Sequence, residues 1–350
     1  MNRVFVVTGG SGFIGSNFVV RLLESQPDVF VVNLDKLTYA ANPDNLAPIQ
    51  NNPNYHFIHG DICDRDLVSH IFDKFNPEGI FHFAAETHVD NSISDPGVFI
   101  KTNVEGTFIL LDTARRFWMS APGECRQEYL NCRFLYVSTD EVYGSLGDNG
   151  LFTETTPFAP NSPYSVSKAS ADMLVRSYCK TFGMNTVVTN CSNNYGPRQH
   201  IENFIPLIID RVLSHQPIPV YGDGRNIRDW LFVDDHCDAI LRVFERGTKG
   251  ESYNIGGGNE KENLWIVNTI CDLVQDFRPL QSNRLKSYRD LVTFVKDRPG
   301  HDRRYAIDAS KIETNLGWRA KENLQSGLEK TVAWYIEQWD ARRFPGKVYD

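Results

Sequence analysis

Thr8-Gly9-Gly10-Ser11-Gly12-Phe13-Ile14-Gly15 closes an apolar run over residues 4–8 and opens an amphipathic stretch over 16–25. Three glycines spaced three apart between a strand and a helix permit a tight turn. They also let backbone N–H groups at the positive end of the helix approach a pyrophosphate without basic side chains. About twenty residues beyond Gly15, Asp35 ends the next apolar run. A carboxylate there accepts from the adenosine ribose hydroxyls and repels a 2′-phosphate. The pattern predicts a dinucleotide site that favours NAD over NADP.

Outward from this loop, apolar runs of strand length recur at 4–8, 30–34, 55–59, 80–84, 134–138 and 186–190, separated by helix-like stretches such as 16–25 and 98–118. Strand-helix alternation with buried strands predicts an α/β fold, a Rossmann-like doubly wound parallel sheet. After about Cys191 the regularity falls and turn clusters appear at Gly196-Pro197, Tyr221-Gly222-Asp223-Gly224 and Gly256-Gly257-Gly258. The expected division is an NAD-binding domain over 1–190 and a smaller mixed α/β substrate-binding domain over 191–350, with later segments free to return to the first. The smaller domain would cap the carboxyl ends of the strands, where ligands bind.

Composition narrows the classes of function. The 350 residues are 41% hydrophobic and carry a net charge of -8 without blocks of like charge. That leaves no electrostatic footprint for nucleic acid or an anionic membrane. Seven cysteines lie scattered without a CxxC pair, so neither a zinc site nor a disulfide framework is expected. His56 and His59 lack companion carboxylates in a metal-binding motif and read as a strand edge, so no metal is expected. The apolar run near Met1 is too brief for a signal peptide or a span, and the expectation is a cytoplasmic protein.

Tyr164-Ser165-Val166-Ser167-Lys168 opens a further helical segment, and i,i+4 spacing puts Tyr164 and Lys168 on one face. A nearby ammonium and a positive nicotinamide ring would stabilise phenolate, lowering the tyrosine pKa as a general base needs.

With the glycine loop and the YxxxK pair in place, nearly the whole chain resembles the extended short-chain dehydrogenase/reductase family, which includes NAD-dependent epimerases and dehydratases of nucleotide sugars. Ser138-Thr139-Asp140-Glu141-Val142-Tyr143-Gly144 is similar to the motif of its 4,6-dehydratases, whereas the epimerases lack the acidic pair. Further similar stretches run from Asn33 to Ala40, Ala84 to Asp90, Asn190 to Pro197 and Asp297 to Tyr305. For NAD, the resemblance implies contacts from Gly9, Gly12, Phe13, Ile14, Gly15, Asp35, Lys36, Thr38, Asp61, Ile62, Ala84, Ala85, Thr102, Tyr164, Lys168 and Asn194.

Its chemistry requires a proton taken from carbon and another given to a departing hydroxide. The resemblance implies that Tyr164, supported by Lys168, takes the 4-hydroxyl proton of a nucleotide-activated hexose while hydride passes from C4 to NAD. Thr139 would relay that proton, Glu141 would remove the acidified C5 hydrogen, and Asp140, kept protonated by burial and its neighbour, would donate to the departing C6 hydroxyl. Hydride return to C6 then gives a 4-keto-6-deoxy sugar. The favoured substrate is dTDP-glucose. The alternative is an NAD-dependent epimerase or dehydratase acting on a UDP-, CDP- or GDP-hexose.

Substrate contacts implied by the same resemblance are His88, Thr139, Asn193, Asn203, Phe204, Pro219, Tyr221, Arg228, Asn263, Arg298 and His301. Arg228 and Arg298 suit bidentate phosphate binding. One departure stands out: Ile201-Glu202-Asn203-Phe204-Ile205-Pro206 occupies the place of the dehydratases' Pro-Glu-Lys-Leu-Ile-Pro, so Asn203 replaces a lysine, with Arg198 a candidate substitute. The family's habit of pairing through two long helices implies a homodimer, here through 98–118 and 164–182.

Overall fold

The computed structural model describes residues 3–281, 285–297 and 301–341. Strand β1 (Arg3–Thr8) leads through α1 (Phe13–Ser25) to β2 (Val29–Asp35) and β3 (Tyr55–His59), and α2 (Arg65–Phe75) leads to β4 (Gly79–His82). Helices α3 (Val89–Ser94), α4 (Pro96–Phe99) and α5 (Thr107–Trp118) precede a short antiparallel pair, β5 (Met119–Ala121) and β6 (Glu124–Cys125). Then come β7 (Arg133–Thr139), α6 (Pro163–Phe182) and β8 (Thr186–Cys191). Beyond them follow β9 (Asn193–Tyr195), α7 (Phe204–Leu213), β10 (Ile218–Tyr221), β11 (Ile227–Phe232), α8 (Val233–Arg246), β12 (Ser252–Ile255) and β13 (Glu260–Glu262). The remainder is α9 (Asn263–Phe277), β14 (Val292–Val295), α10 (Ser310–Leu316) and α11 (Leu324–Asp340).

Seven strands form one sheet in the order β3-β2-β1-β4-β7-β8-β12, every neighbouring pair parallel. The valine-rich strands β1 and β2 are buried along most of their length, as a sheet covered on both faces demands. On one face α1 and α8 pack through Phe18 and Phe244, whose rings lie 4.6 Å and 4.2 Å from that of Phe81. On the other, α2, α5 and α6 contribute Ile71, Leu111 and Val175. The chain order reverses between β1 and β4, and the crevice beyond their carboxyl ends is where such sheets bind ligands.

The expected strands are all present. The expected helix over 98–118 is interrupted: between α4 and α5 the residues Ile100–Gly106 widen into a π-helical turn. Such a turn re-aims side chains, often at functional sites. Here Asn103 reaches across to accept from Glu86 N (2.8 Å) and donate to Glu86 O (3.0 Å) and Ser167 Oγ (2.8 Å), tying three segments together.

The later part of the chain divides its work. Helix α8 and strand β12 return to the large sheet, while α7, α9 and α11 enclose a separate core of Ile205, Ile209, Ile270, Val274, Leu328 and Val332. The sheet β13-β11-β9 and the parallel pair β10-β14 complete this unit. Because β9 pairs with β11 immediately after β8 has joined the large sheet, the segment 191–195 is the seam between the two bodies.

Candidate active site

The glycine loop closes the sheet's carboxyl edge by close backbone contact. Gly9 adopts φ +71°, and a Cβ there would fall 2.6 Å from Ala84 N; one on Gly15 would fall 2.2 Å from Gly9 O. Gly12 differs, since its missing Cβ would meet only Gly9 O at 3.4 Å. No side chain caps α1 and no acidic residue occupies its first turn, so its leading N–H groups and dipole remain available to an anion. Asp35 accepts from Ser11 N and Leu37 N, both at 2.8 Å, and so fixes the loop to the end of β2. Its oxygens retain acceptor capacity for hydroxyls. Lys36 pairs with Asp61 at 2.8 Å across the neighbouring strand ends.

One cleft runs from this loop to the end of β7. It is lined by all sixteen residues expected to hold NAD and by Thr139, Asp140, Glu141, Tyr164 and Lys168. At its inner end β7 stops at Thr139, and Asp140–Tyr143 forms a single tight turn. Thr139 Oγ1 accepts from Glu141 N and donates to Asp140 Oδ1, each at 3.3 Å. Asp140 is 2% exposed, and its Oδ2 is buried without a hydrogen-bond partner among the described residues. Burial, then the charges of Glu141 and Asp229, hold its carboxyl well above the usual range against the opposing pull of Arg228. Asp140 is therefore biased toward its protonated form. Glu141 accepts from Ser165 Oγ at 3.1 Å, one helical step from Tyr164.

Helix α6 is started by Ser162, whose Oγ accepts from Ser165 N, with Pro163 in its first turn. This start sets Tyr164 and Lys168 facing the cleft. Lys168 is buried, donates to Val137 O at 2.7 Å and lies 4.4 Å from the Tyr136 ring centroid; burial pulls its pKa down to about 8. The expected lowering of the Tyr164 pKa is not met by the chain alone. Burial and the charge of Glu141 push that phenol well above its ordinary value, and the Lys168 ammonium is engaged with a carbonyl and a ring.

The expected substrate residues fall into two groups. Thr139, Asn193 and Asn203 line the cleft. Phe204, Pro219, Tyr221, Arg228, Asn263 and His301 lie in the adjoining unit, His88 stands just before α3 beyond the end of β4, and Arg298 lies outside the described residues. Arg228 joins the groups through its charge on Asp140. Its guanidinium donates to Ile227 O and Asp302 O and lies 4.3 Å from the Tyr305 ring centroid, so part of its donor fork is spent on the backbone. The Tyr221 ring meets His301 edge-on, and His301 Nδ1 is 2.6 Å from Asp297 Oδ1. Among the described residues, His88 Nδ1, Asn193 Oδ1 and Asn263 Oδ1 are buried without hydrogen-bond partners, a cost that a polar ligand would remove. Arg198 does not replace the missing lysine: it turns away to Asn17 Oδ1 at 2.7 Å.

Sequence reasoning passed over Glu86, Thr87, Gln199 and His200, which also line the cleft. Glu86 and Thr87 directly follow Ala84-Ala85, and their position beyond a strand end was the available signal. Gln199 and His200 sit in an irregular loop, where no periodicity marks direction.

A family model described as GDP-mannose 4,6 dehydratase matches residues 6–331. The chain belongs to this family. It is 53% identical over 339 residues to a dTDP-glucose 4,6-dehydratase of Neisseria gonorrhoeae, spanning 97% of each chain. It is also similar to the dTDP-glucose 4,6-dehydratase of Bacillus anthracis, solved in complex with NAD: 43% identity, TM-score 0.84, with 97% of this chain and 98% of that one covered. A UDP-glucose 4-epimerase from Thermotoga maritima, solved with UDP-glucose, shares the family's fold at 28% identity and a TM-score of 0.81, with 96% and 99% covered. Among the described residues no helix is long and apolar enough to cross a membrane.

Proposed function

We propose that the protein dehydrates dTDP-glucose to dTDP-4-keto-6-deoxyglucose with NAD as its resident cofactor. The observation that carries this reading is Asp140, a buried carboxyl biased toward its protonated form, beside Glu141 and within the cleft that also holds Tyr164. Two carboxyls whose environments separate their protonation states can serve as acid and base in one elimination. The Neisseria gonorrhoeae dTDP-glucose 4,6-dehydratase, at 53% identity, and that of Bacillus anthracis, at 43%, stand nearer in sequence than the epimerase at 28%.

The uncapped start of α1, the open side of Gly12 and the carboxylate of Asp35 fit a dinucleotide. NAD, when bound, supplies reversible two-electron oxidation, which makes C4 a ketone and acidifies the C5 hydrogen. Tyr164 takes the 4-hydroxyl proton through Thr139, and the positive charge of a nicotinamide ring offsets the burial that holds the phenol protonated. Glu141, steadied by Ser165, removes the C5 proton. Asp140 delivers its proton to the C6 hydroxyl as water leaves, and Glu141 would return its proton to C5 as C6 regains the hydrogen that the cofactor had taken from C4. The buried oxygens of Asn193 and Asn263 and the His88 ring meet the nucleotide sugar, with Arg228 beside Asp140.

Incubation with dTDP-glucose and no external reductant is expected to yield a 4-keto sugar, read from its alkali-developed absorbance, while UDP-, CDP- and GDP-hexoses react more slowly. An epimerised sugar as product would replace this reading with the epimerase one. No conversion of any of these substrates would end the dehydratase reading.

The same proposal places the protein in the cytoplasm, supported by seven unpaired cysteines, and in a homodimer. Ile100, Phe108, Val166 and Met173 expose apolar side chains on the π-turn, α5 and α6, the helices through which the family pairs. Met173→Glu is expected to shift the elution of the protein from dimer to monomer; an unchanged elution volume would rule out pairing through this face.

A further inference from the structure

We infer that Arg198 is a positioning residue that bolts the cleft-lining segment 198–203 to the first turns of α1, and thereby slows release of the cofactor. This rests on the reading of the cleft as an NAD site. Arg198 is one of only four non-glycine residues among those described with a left-handed backbone, at φ +72°. Such a conformation costs about 1 kcal/mol or more and persists where surrounding contacts over-determine it, often at ligand clamps.

The contacts here run to four elements. Arg198 Nη1 donates to Asn17 Oδ1 at 2.7 Å, and Asn17 Nδ2 donates to both Pro197 O (3.0 Å) and Phe13 O (2.9 Å). Asn17 is 4% exposed and Phe13 is the first residue of α1, so the bond reaches the helix turn that faces an anion. Next along the chain, Gln199 Nε2 donates to Asn194 O at 3.1 Å, and Gln199 O accepts from the Tyr335 hydroxyl of α11. Asn45 Nδ2 reaches Arg198 O at 3.5 Å from the segment beyond β2, and the Tyr39 ring meets that of His200 edge-on.

The left-handed turn at Arg198 therefore sends its own side chain toward α1 while Gln199, His200 and Asn203 line the cleft. The strap runs from β9 to α7, both of the smaller unit, and is bolted across to α1 of the cofactor-binding body. A cofactor regenerated in every turnover gains from such a fastening, because it has no reason to leave between cycles. The positive charge of Arg198 also lies within reach of Asp234 and Glu24, which supports the guanidinium in its partly buried position.

The test is the release rate of NADH from the full chain, followed by the loss of its fluorescence on chase with excess NAD. Arg198→Met and Asn17→Ala are each expected to release NADH about tenfold faster, the size of one charge-assisted hydrogen bond. The double variant is expected to be no faster than Asn17→Ala, which already removes the Arg198 contact together with the bonds to Pro197 O and Phe13 O. Arg198→Gly relaxes the backbone but lacks the bolt, and faster release there as well separates fastening from relief of strain. Unchanged release in Arg198→Met and Arg198→Gly, or additive effects in the double variant, would overturn the inference. Failure of the unaltered chain to bind NADH would instead overturn the cofactor reading on which it stands.

Discussion

The Glu141→Gln variant is expected to oxidise its substrate and then stall. With dTDP-glucose, near-ultraviolet absorbance of reduced nicotinamide should build up on the enzyme, while keto-sugar formation falls by about 10²–10⁴-fold, the range assigned to a lost general base. Glutamine has the same shape and can still accept from Ser165 Oγ through its carbonyl oxygen, so the turn Asp140–Tyr143 keeps its place. What it lacks is a lone pair basic enough to take the C5 proton. The contrast between the two steps separates a chemical role from a structural one: if oxidation and water loss decline together, Glu141 orients the site and another group is the base.

Asp140→Asn should lose keto-sugar formation by a comparable factor and at the same time gain stability. The carboxyl of Asp140 is buried and held well above its ordinary value. Between that ordinary value, about 4, and the raised one, the folded chain keeps a proton that the unfolded chain has released. Folding stability contributed by this group therefore falls as pH rises through the window. The amide carries no such penalty. A higher melting temperature than the unaltered protein at neutral pH, converging with it as pH drops toward about 4, is the expected pattern, a trade of stability for function at one side chain. A variant less stable than its parent at neutral pH would show that Asp140 is ionised in the folded state.

Both predictions concern residues that were legible before the structure, for identifiable reasons. The buried parallel strands are continuous apolar runs whose ends coincide with Thr8, Asp35 and Thr139, and in such folds strand ends are where ligands gather. The i,i+4 spacing of Tyr164 and Lys168 places both on one face of any helix, and Ser162 with Pro163 starts that helix at the right residue. Other features depend on contacts distant in sequence. The π-turn Ile100–Gly106 exists because Asn103 must reach Glu86 and Ser167, a demand that periodicity within the helix does not register. Spacing locates Lys168 beside Tyr164, but neither the burial that raises the phenol nor the Val137 carbonyl that engages the ammonium leaves a mark in the spacing. Arg198 looked like a replacement cation for the phosphates, yet its left-handed backbone and the acceptor on Asn17, 181 residues away, turn it elsewhere. The second body was harder still, since α8 and β12 leave it to rejoin the large sheet.

The central claim is that the nicotinamide removes hydrogen from one carbon of the hexose and gives it back to another within a single turnover. Supplying dTDP-glucose deuterated at C4 and locating the label in the product by NMR tests this directly. The account predicts deuterium at C6 of the 4-keto-6-deoxy sugar, with none lost to solvent. Deuterium retained at C4, or released to water, would contradict it.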